Sequence, residues 1–160
     1  MQNEIFNFTE GQDYACFPKL YAYDKDYEFS LVTDCCCEAK PDDFKNIYGI
    51  PCNLIVGTLE QLRQDNMNPT ATEKYFIDCI ADPELGSNDE YENFKPRLQF
   101  LKKLVQSKKT DMRWTSLWDL ALYCSGNSKL GLYDLEAEVN WGMTPRYGEL
   151  CPVVIDAGLT

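Results

Sequence analysis

The sequence contains no histidine at all. That absence removes the Ser-His and Cys-His nucleophile pairs, the histidine zinc sites and any ordinary imidazole base. Glycine is scarce where a nucleotide-binding protein would need it. Gly11 is the only glycine before Asn46, so there is no glycine-rich phosphate loop. No apolar run approaches the ~20 residues of a membrane span, and Met1-Gln-Asn-Glu-Ile-Phe lacks the basic and apolar regions of a signal peptide. The expected location is therefore the cytoplasm. Basic residues are outnumbered, 15 Lys and Arg against 26 Asp and Glu, for a net charge of −11. That balance argues against nucleic acid and anionic membranes as partners and suits a basic protein surface. Any chemistry must rest on carboxylates, amides, thiols and lysines.

Aromatic residues are plentiful: ten Tyr, eight Phe and three Trp within a hydrophobic fraction of 44% argue for a folded chain. A length of 160 residues fits one domain that buries roughly two thirds of its unfolded surface. Eight cysteines in a cytoplasmic chain read as reduced thiols. The run Cys35-Cys36-Cys37 invites a zinc reading, but adjacent thiolates cannot share one tetrahedral ion without strain and no C-x-x-C pair exists. Packing in a linker is the better account, and no cofactor or metal is expected.

Taken in order, residues 1–16 suggest a short helix and turn, with Glu4 an N-terminal acid. Phe17–Tyr23 and Tyr27–Thr33 read as a hairpin joined at Asp24-Lys25-Asp26, with Tyr27, Phe29 and Leu31 alternating on one face. Pro41-Asp42-Asp43-Phe44 opens a helix. A second is expected from a Thr58 cap through Leu59 and Leu62 to Asn66-Met67-Asn68-Pro69, and a third over residues 70–80, stopped by Pro83. An acidic loop follows, carrying Asp82, Glu84, Asp89, Glu90 and Glu92. Pro96 should open the next helix, with Leu98, Leu101, Leu104 and Val105 on its buried side. A helix capped by Thr110 or Asp111 and ended by Gly126 should bury Trp114, Leu117, Trp118 and Ala121. These elements give an α+β fold, a small antiparallel hairpin (1–34) packed on a mainly helical part (41–160) that ends in a strand.

Charge is unevenly placed. Residues 95–113 hold seven basic side chains against one acid, Asp111, so that window is +6 and the remainder −17. The aromatic and glycine interleaving of a nucleic-acid surface is missing. The basic stretch offsets the acidic body or meets an acidic patch.

Two polar anchors mark the last thirty residues. Asp134-Leu135 leads to Asn140-Trp141-Gly142 on a tight loop, and the apolar run Val153-Val154-Ile155 ends on Asp156-Ala157-Gly158. An Asp past a buried strand and an Asn on a loop are ligands of the type that hold a metal-bound phosphate. The pattern resembles the catalytic loop and D-F-G segment of the protein-kinase-like fold, in the reduced form carried by tailed phages. The resemblance covers residues 4–50 and 110–160. It implies that Asp134 stands at the catalytic-loop Asp, with Asn140 and Asp156 as remnants of the nucleotide and metal site. Leu132 and Tyr133 replace the His and Arg before the Asp, the Asp134–Asn140 gap is one residue too long, and Ala157 replaces the Phe. With no phosphate loop and no V-A-x-K strand, the expectation is a non-catalytic interaction protein that inhibits a host or defence protein. Its acidic surface would be Asp24, Asp26, Glu28, Asp82, Glu84, Asp89, Glu90 and Glu92, able to imitate a phosphate backbone. The alternative is a nucleotide- and magnesium-binding phosphotransfer enzyme with a degenerate site.

Overall fold

The computed structural model describes residues 9–23, 31–34, 36–82, 84, 88–126 and 130–156, with backbone alone at 23, 31, 32 and 88–90. Strand β1 (Leu20–Tyr23) pairs antiparallel with β2 (Leu31–Thr33), so the hairpin expectation holds for its two arms. Its tip, with Asp24, Asp26 and Glu28, lies outside the described residues. So do Glu4 and Cys35. A second sheet has the order β3-β4-β5, all antiparallel: β3 is Cys37–Glu38, β4 Trp141–Arg146 and β5 Glu149–Val154. Among the described residues the longer helices are α1 (Pro41–Tyr48), α2 (Cys52–Gln64), α3 (Pro69–Ala81), α4 (Asn88–Ser107) and α5 (Met112–Ser125). The fold is α+β, as the sequence implied.

Local chemistry sets most boundaries. Proline occupies the first position of α1, where its missing N–H costs nothing, and Asp43 accepts from the Lys40 N–H at 2.8 Å. Gly49 closes the helix at φ 79°, a left-handed stop that glycine adopts without strain. Asn68 caps α3 by accepting from Thr70 and Ala71 N–H, and Asp111 caps α5 by accepting from Arg113 N–H.

Three expectations are corrected. Thr58 does not cap a helix, because α2 begins six residues earlier and Thr58 is fully buried inside it. Its hydroxyl donates to the Leu54 carbonyl at 2.7 Å and accepts from Arg97 Nε at 3.0 Å. Cys52, Ile55 and Val56 supply the buried stripe that extends the helix backwards. Pro96 does not open α4 but sits inside it. The helix starts at Asn88, so Asp89, Glu90 and Glu92 lie in its first turns and not in a loop, where the helix dipole favours acids. Finally, Trp141 and Gly142 are strand residues of β4. The loop reading failed because the pairing partner of that strand, β5, gives Trp141 opposite Val154 and Gly142 opposite Val153 only once the hairpin closes.

One core joins the helices to the second sheet. Trp114 stacks edge-on against Tyr48 at 4.9 Å and lies 5.4 Å from Phe100, while Phe44 meets Trp141 at 5.5 Å. The polar tips are satisfied: Tyr48 OH donates to the Arg113 carbonyl, and Trp141 Nε1–H to the Leu135 carbonyl at 2.8 Å. Ser116, fully buried on α5, donates to the Pro152 carbonyl at 2.6 Å and ties helix to sheet. Val154 N–H donates to the Cys16 carbonyl at 2.8 Å, which docks the N-terminal segment against β5. Not every tyrosine is a surface residue: Tyr48 and Tyr123 are buried, whereas Tyr21, Tyr133 and Tyr147 are exposed.

Candidate functional site

Helix α5 runs, past residues 127–129, into a 3-10 turn at Leu132–Leu135 and a second at Glu138–Asn140, which leads directly into β4. This path brings the three expected site residues together. Asn140 Nδ2–H donates to the Asp134 carbonyl at 2.6 Å. The Asn140 carbonyl in turn accepts from Ile155 N–H at 3.0 Å and Asp156 N–H at 3.4 Å. Residues separated by sixteen positions at Asn140 and Asp156 are thus adjacent because β4 and β5 fold back on each other.

The side chains differ in what they can offer. The Asp134 carboxylate folds over its own turn: a Cβ on Gly131 would lie 2.9 Å from Asp134 Oδ2. It is the Asp134 backbone, not its carboxylate, that meets Asn140. With Nδ2 committed to Asp134, the remaining side-chain acceptor of Asn140 is Oδ1, while half-buried Asp156 meets Asn140 through its backbone N–H. An amide oxygen and a carboxylate are donors that suit a hard cation such as magnesium. Among the described residues no group of three or more His, Cys, Asp or Glu is arranged to hold a metal.

The thiols are structural in their surroundings. Burial pushes the Cys16 thiol up well above its ordinary value, and burial next to Glu138 and Glu136 pushes Cys52 up to about 12. Cys52 Sγ–H points to the Leu135 carbonyl at 3.4 Å. The described cysteines are all free thiols, with Cys37 exposed on β3 and Cys36 packed near Gly142.

The acidic surface is only partly collected. Asp82 and Glu84 are exposed between α3 and α4, and Glu92 is exposed on α4. With the backbone of Asp89 and Glu90 in the first turn, these acids gather at the N-terminal end of α4. The basic window begins close by, at exposed Lys95 on the same helix, and runs through its far half to Arg113. Helix α4 has 20 residues, hence a length of about 30 Å. The acids occupy its first turns and Lys102 and Lys103 its last ones, with Lys95 and Arg97 between.

Many of the basic side chains there are already engaged. Arg97 stacks over Phe76 at 4.8 Å, Lys108 lies 3.3 Å from the Trp118 ring centre, and Lys102 pairs with Glu73 at 3.4 Å. Arg113 makes a two-pronged contact with Asp111, at 3.0 and 2.7 Å, and its Nε is 3.3 Å from Glu149. The hydrogen bonds from Arg113 hold the Asp111 carboxyl below the usual range and raise the guanidinium's own value.

A feature the sequence did not disclose sits at the tip of the β4–β5 hairpin. Tyr147 and Gly148 form its two-residue turn with φ of 52° and 83°. That left-handed pair matches the twist of the strands, but a tyrosine pays for it where asparagine or glycine would not. Tyr147 is 92% exposed. Beside it Arg146 donates to the Ala15 carbonyl at 2.8 Å and the Phe17 carbonyl at 2.7 Å, and lies 3.9 Å from Asp34. Two adjoining depressions of about 480 and 380 Å³ share Met112, Arg146 and Tyr147. The Tyr-Gly step after alternating residues is the signal that could have marked this turn in the sequence.

No family model matches this chain, and no curated protein or solved structure matches it either.

Proposed function

We propose that this chain is a non-catalytic, kinase-like interaction protein that inhibits a host or defence protein by docking an acidic surface onto a basic one. The observation that carries the reading is the polarity of α4. Acids gather at its N-terminal end with Asp82 and Glu84 exposed beside it, while the basic residues run from Lys95 through its far half. A cluster of exposed acids of this kind steers a basic partner and can imitate a phosphate backbone. Phage origin and inhibitory role rest on the resemblance at Asp134, Asn140 and Asp156. The test compares the wild-type chain with D82K/E84K/E92K as bait in a bacterial lysate. The same proteins retained by both would remove the acidic end from recognition, while loss with an unchanged circular-dichroism spectrum supports it.

A second reading is favoured by the contact of Asn140 with Asp134 and Asp156. Asn140 Oδ1 and the Asp156 carboxylate would then be the ligands offered to a magnesium–nucleotide complex, whose cation would supply charge neutralisation at the phosphates. Titration of a fluorescent ATP analogue with and without magnesium separates the two. Magnesium-dependent binding that N140A abolishes favours the nucleotide reading, and its absence favours the first.

A further inference from the structure

A depression of about 310 Å³ lies between the last turn of α1 and the middle of α4, at the small end of the range for ligand pockets. None of the residues assigned above to the acidic surface or to the Asn140 site lines it. We propose that this depression binds a small phosphate monoester, its phosphate held by Lys45 and Lys103 and its apolar body resting on the floor between the two helices.

The lining carries charge of one sign. Lys45 on α1 and Lys103 on α4 both line the depression, and no carboxylate does. Both lysines are exposed, and neither forms an ion pair among the described residues. The acids nearest them along the two helices, Asp42 and Glu92, stand outside the lining and pair with neither. Lys103 does help to hold the Asp111 carboxyl down, but Asp111 also lies outside the lining and Arg113 answers it first, with two hydrogen bonds. Lys45 sits in the last turn of α1, where the helix end carries a partial negative charge of about half a unit. Two ammonium groups less that half unit leave about 1.5 units of positive charge over a concave surface, in a chain whose net charge is −11.

The donors favour phosphate over carboxylate. Asn46 and Gln99 are exposed in the same lining, and their side chains form no hydrogen bond among the described residues. Two ammonium groups and two amides therefore stand ready around one hollow. A phosphate monoester brings nearly two negative charges and three acceptor oxygens to them, where a carboxylate brings one charge and two oxygens. The floor is rigid and apolar. Tyr48, Ile50 and Phe100 are buried there, and the Tyr48 hydroxyl is already committed to the Arg113 carbonyl. Space is open above Gly49, where an added Cβ would meet nothing within 4 Å. Lys103 Nζ stands 5.6 Å from the centre of the Trp114 ring, which packs behind that floor against Tyr48 and Phe100.

The test titrates phenyl phosphate into the isotope-labelled full chain and follows amide chemical shifts, with inorganic phosphate, benzoate and benzylamine in parallel arms. Saturable shifts should gather on residues 45–50 and 97–103. Phenyl phosphate should bind more tightly than inorganic phosphate, which lacks the apolar body, and than benzoate, which lacks the second charge; benzylamine should not bind. K45E/K103E should weaken phenyl phosphate roughly tenfold or more at an unchanged melting temperature, because both side chains are exposed. K45Q/K103Q, which removes the charges without reversing them, should lose binding in the same direction. The proposal is overturned by the absence of a saturable shift, by shifts centred on other lysines, by benzoate or benzylamine binding as tightly, or by undiminished binding in the lysine variants. N140A should bind phenyl phosphate like the wild type, and no variant here alters Asp82, Glu84 or Glu92, so this result stands or falls apart from both readings above.

Discussion

Substituting Gly142 by alanine tests why a glycine stands in the Asn140-Trp141-Gly142 segment. Its backbone is not left-handed, since the positive-φ glycines among the described residues are Gly49 and Gly148. The reason is space. An added Cβ would lie 2.7 Å from Cys36 Cβ, 2.7 Å from Ile155 Cγ2 and 3.3 Å from the Cys37 carbonyl. Neither carbon can swing away cheaply: Cys36 Cβ is fixed to its backbone beside β3, and Ile155 is β-branched and stiff at χ1. Overpacking of this kind costs about 1–3 kcal/mol, which for a domain of this size lowers the melting temperature by about 2–12 °C. Urea unfolding followed by the fluorescence of buried Trp141 should show a lower midpoint at unchanged slope. Trimming one neighbour supplies the control. G142A/I155A should be less destabilised than the sum of its two single variants, because the second change removes one of the collisions. An unchanged midpoint for G142A, or strict additivity in the double variant, would refute the packing argument.

Other expectations follow from the same contacts. S116A strands the Pro152 carbonyl in the core and should cost about 1–3 kcal/mol in a urea melt. Asp111 titrates below its usual range when folded, because Arg113 bonds it. Its contribution is therefore present above the unfolded carboxylate value and is lost as pH falls through the folded one, so D111N should flatten the acid limb of the stability curve. Asp119 goes the other way: burial raises its carboxyl although Ala15 N–H donates to it at 2.8 Å. Its ionisation opposes folding, so D119N should stabilise the protein at neutral pH, with the gain vanishing below the unfolded carboxylate value. Thiol labelling of the native protein should modify exposed Cys37 well before the fully buried Cys16 and Cys52, and equal rates would contradict the core described above.

The sequence by itself determined what local chemistry controls. Pro41 with Asp43, and Asp111, each fix a helix start within a few residues, because a proline or a short polar side chain satisfies or spares the first free N–H groups, whereas Asn68-Pro69, read as the end of one helix, also caps the next. The buried stripe of Trp114, Leu117 and Ala121 was equally legible, as was the strand that ends before Asp156. Tertiary structure decided the rest wherever a distant partner outweighed local preference. Thr58 reads as a cap, yet Arg97, thirty-nine residues on, bonds it inside a longer helix. Pro96 reads as a start, yet α4 runs through it, with Phe94 on one side and Phe100 on the other buried in the core. Trp141-Gly142 reads as a loop until β5 returns to pair with it. The same return sets Asn140 against Asp156 and thrusts Tyr147 into solvent. Arg146, anonymous in the sequence, holds the carbonyls of Ala15 and Phe17 from 131 and 129 residues away. Contacts of that range carry no local signal, because they exist only when folding has brought both ends of the chain to one place.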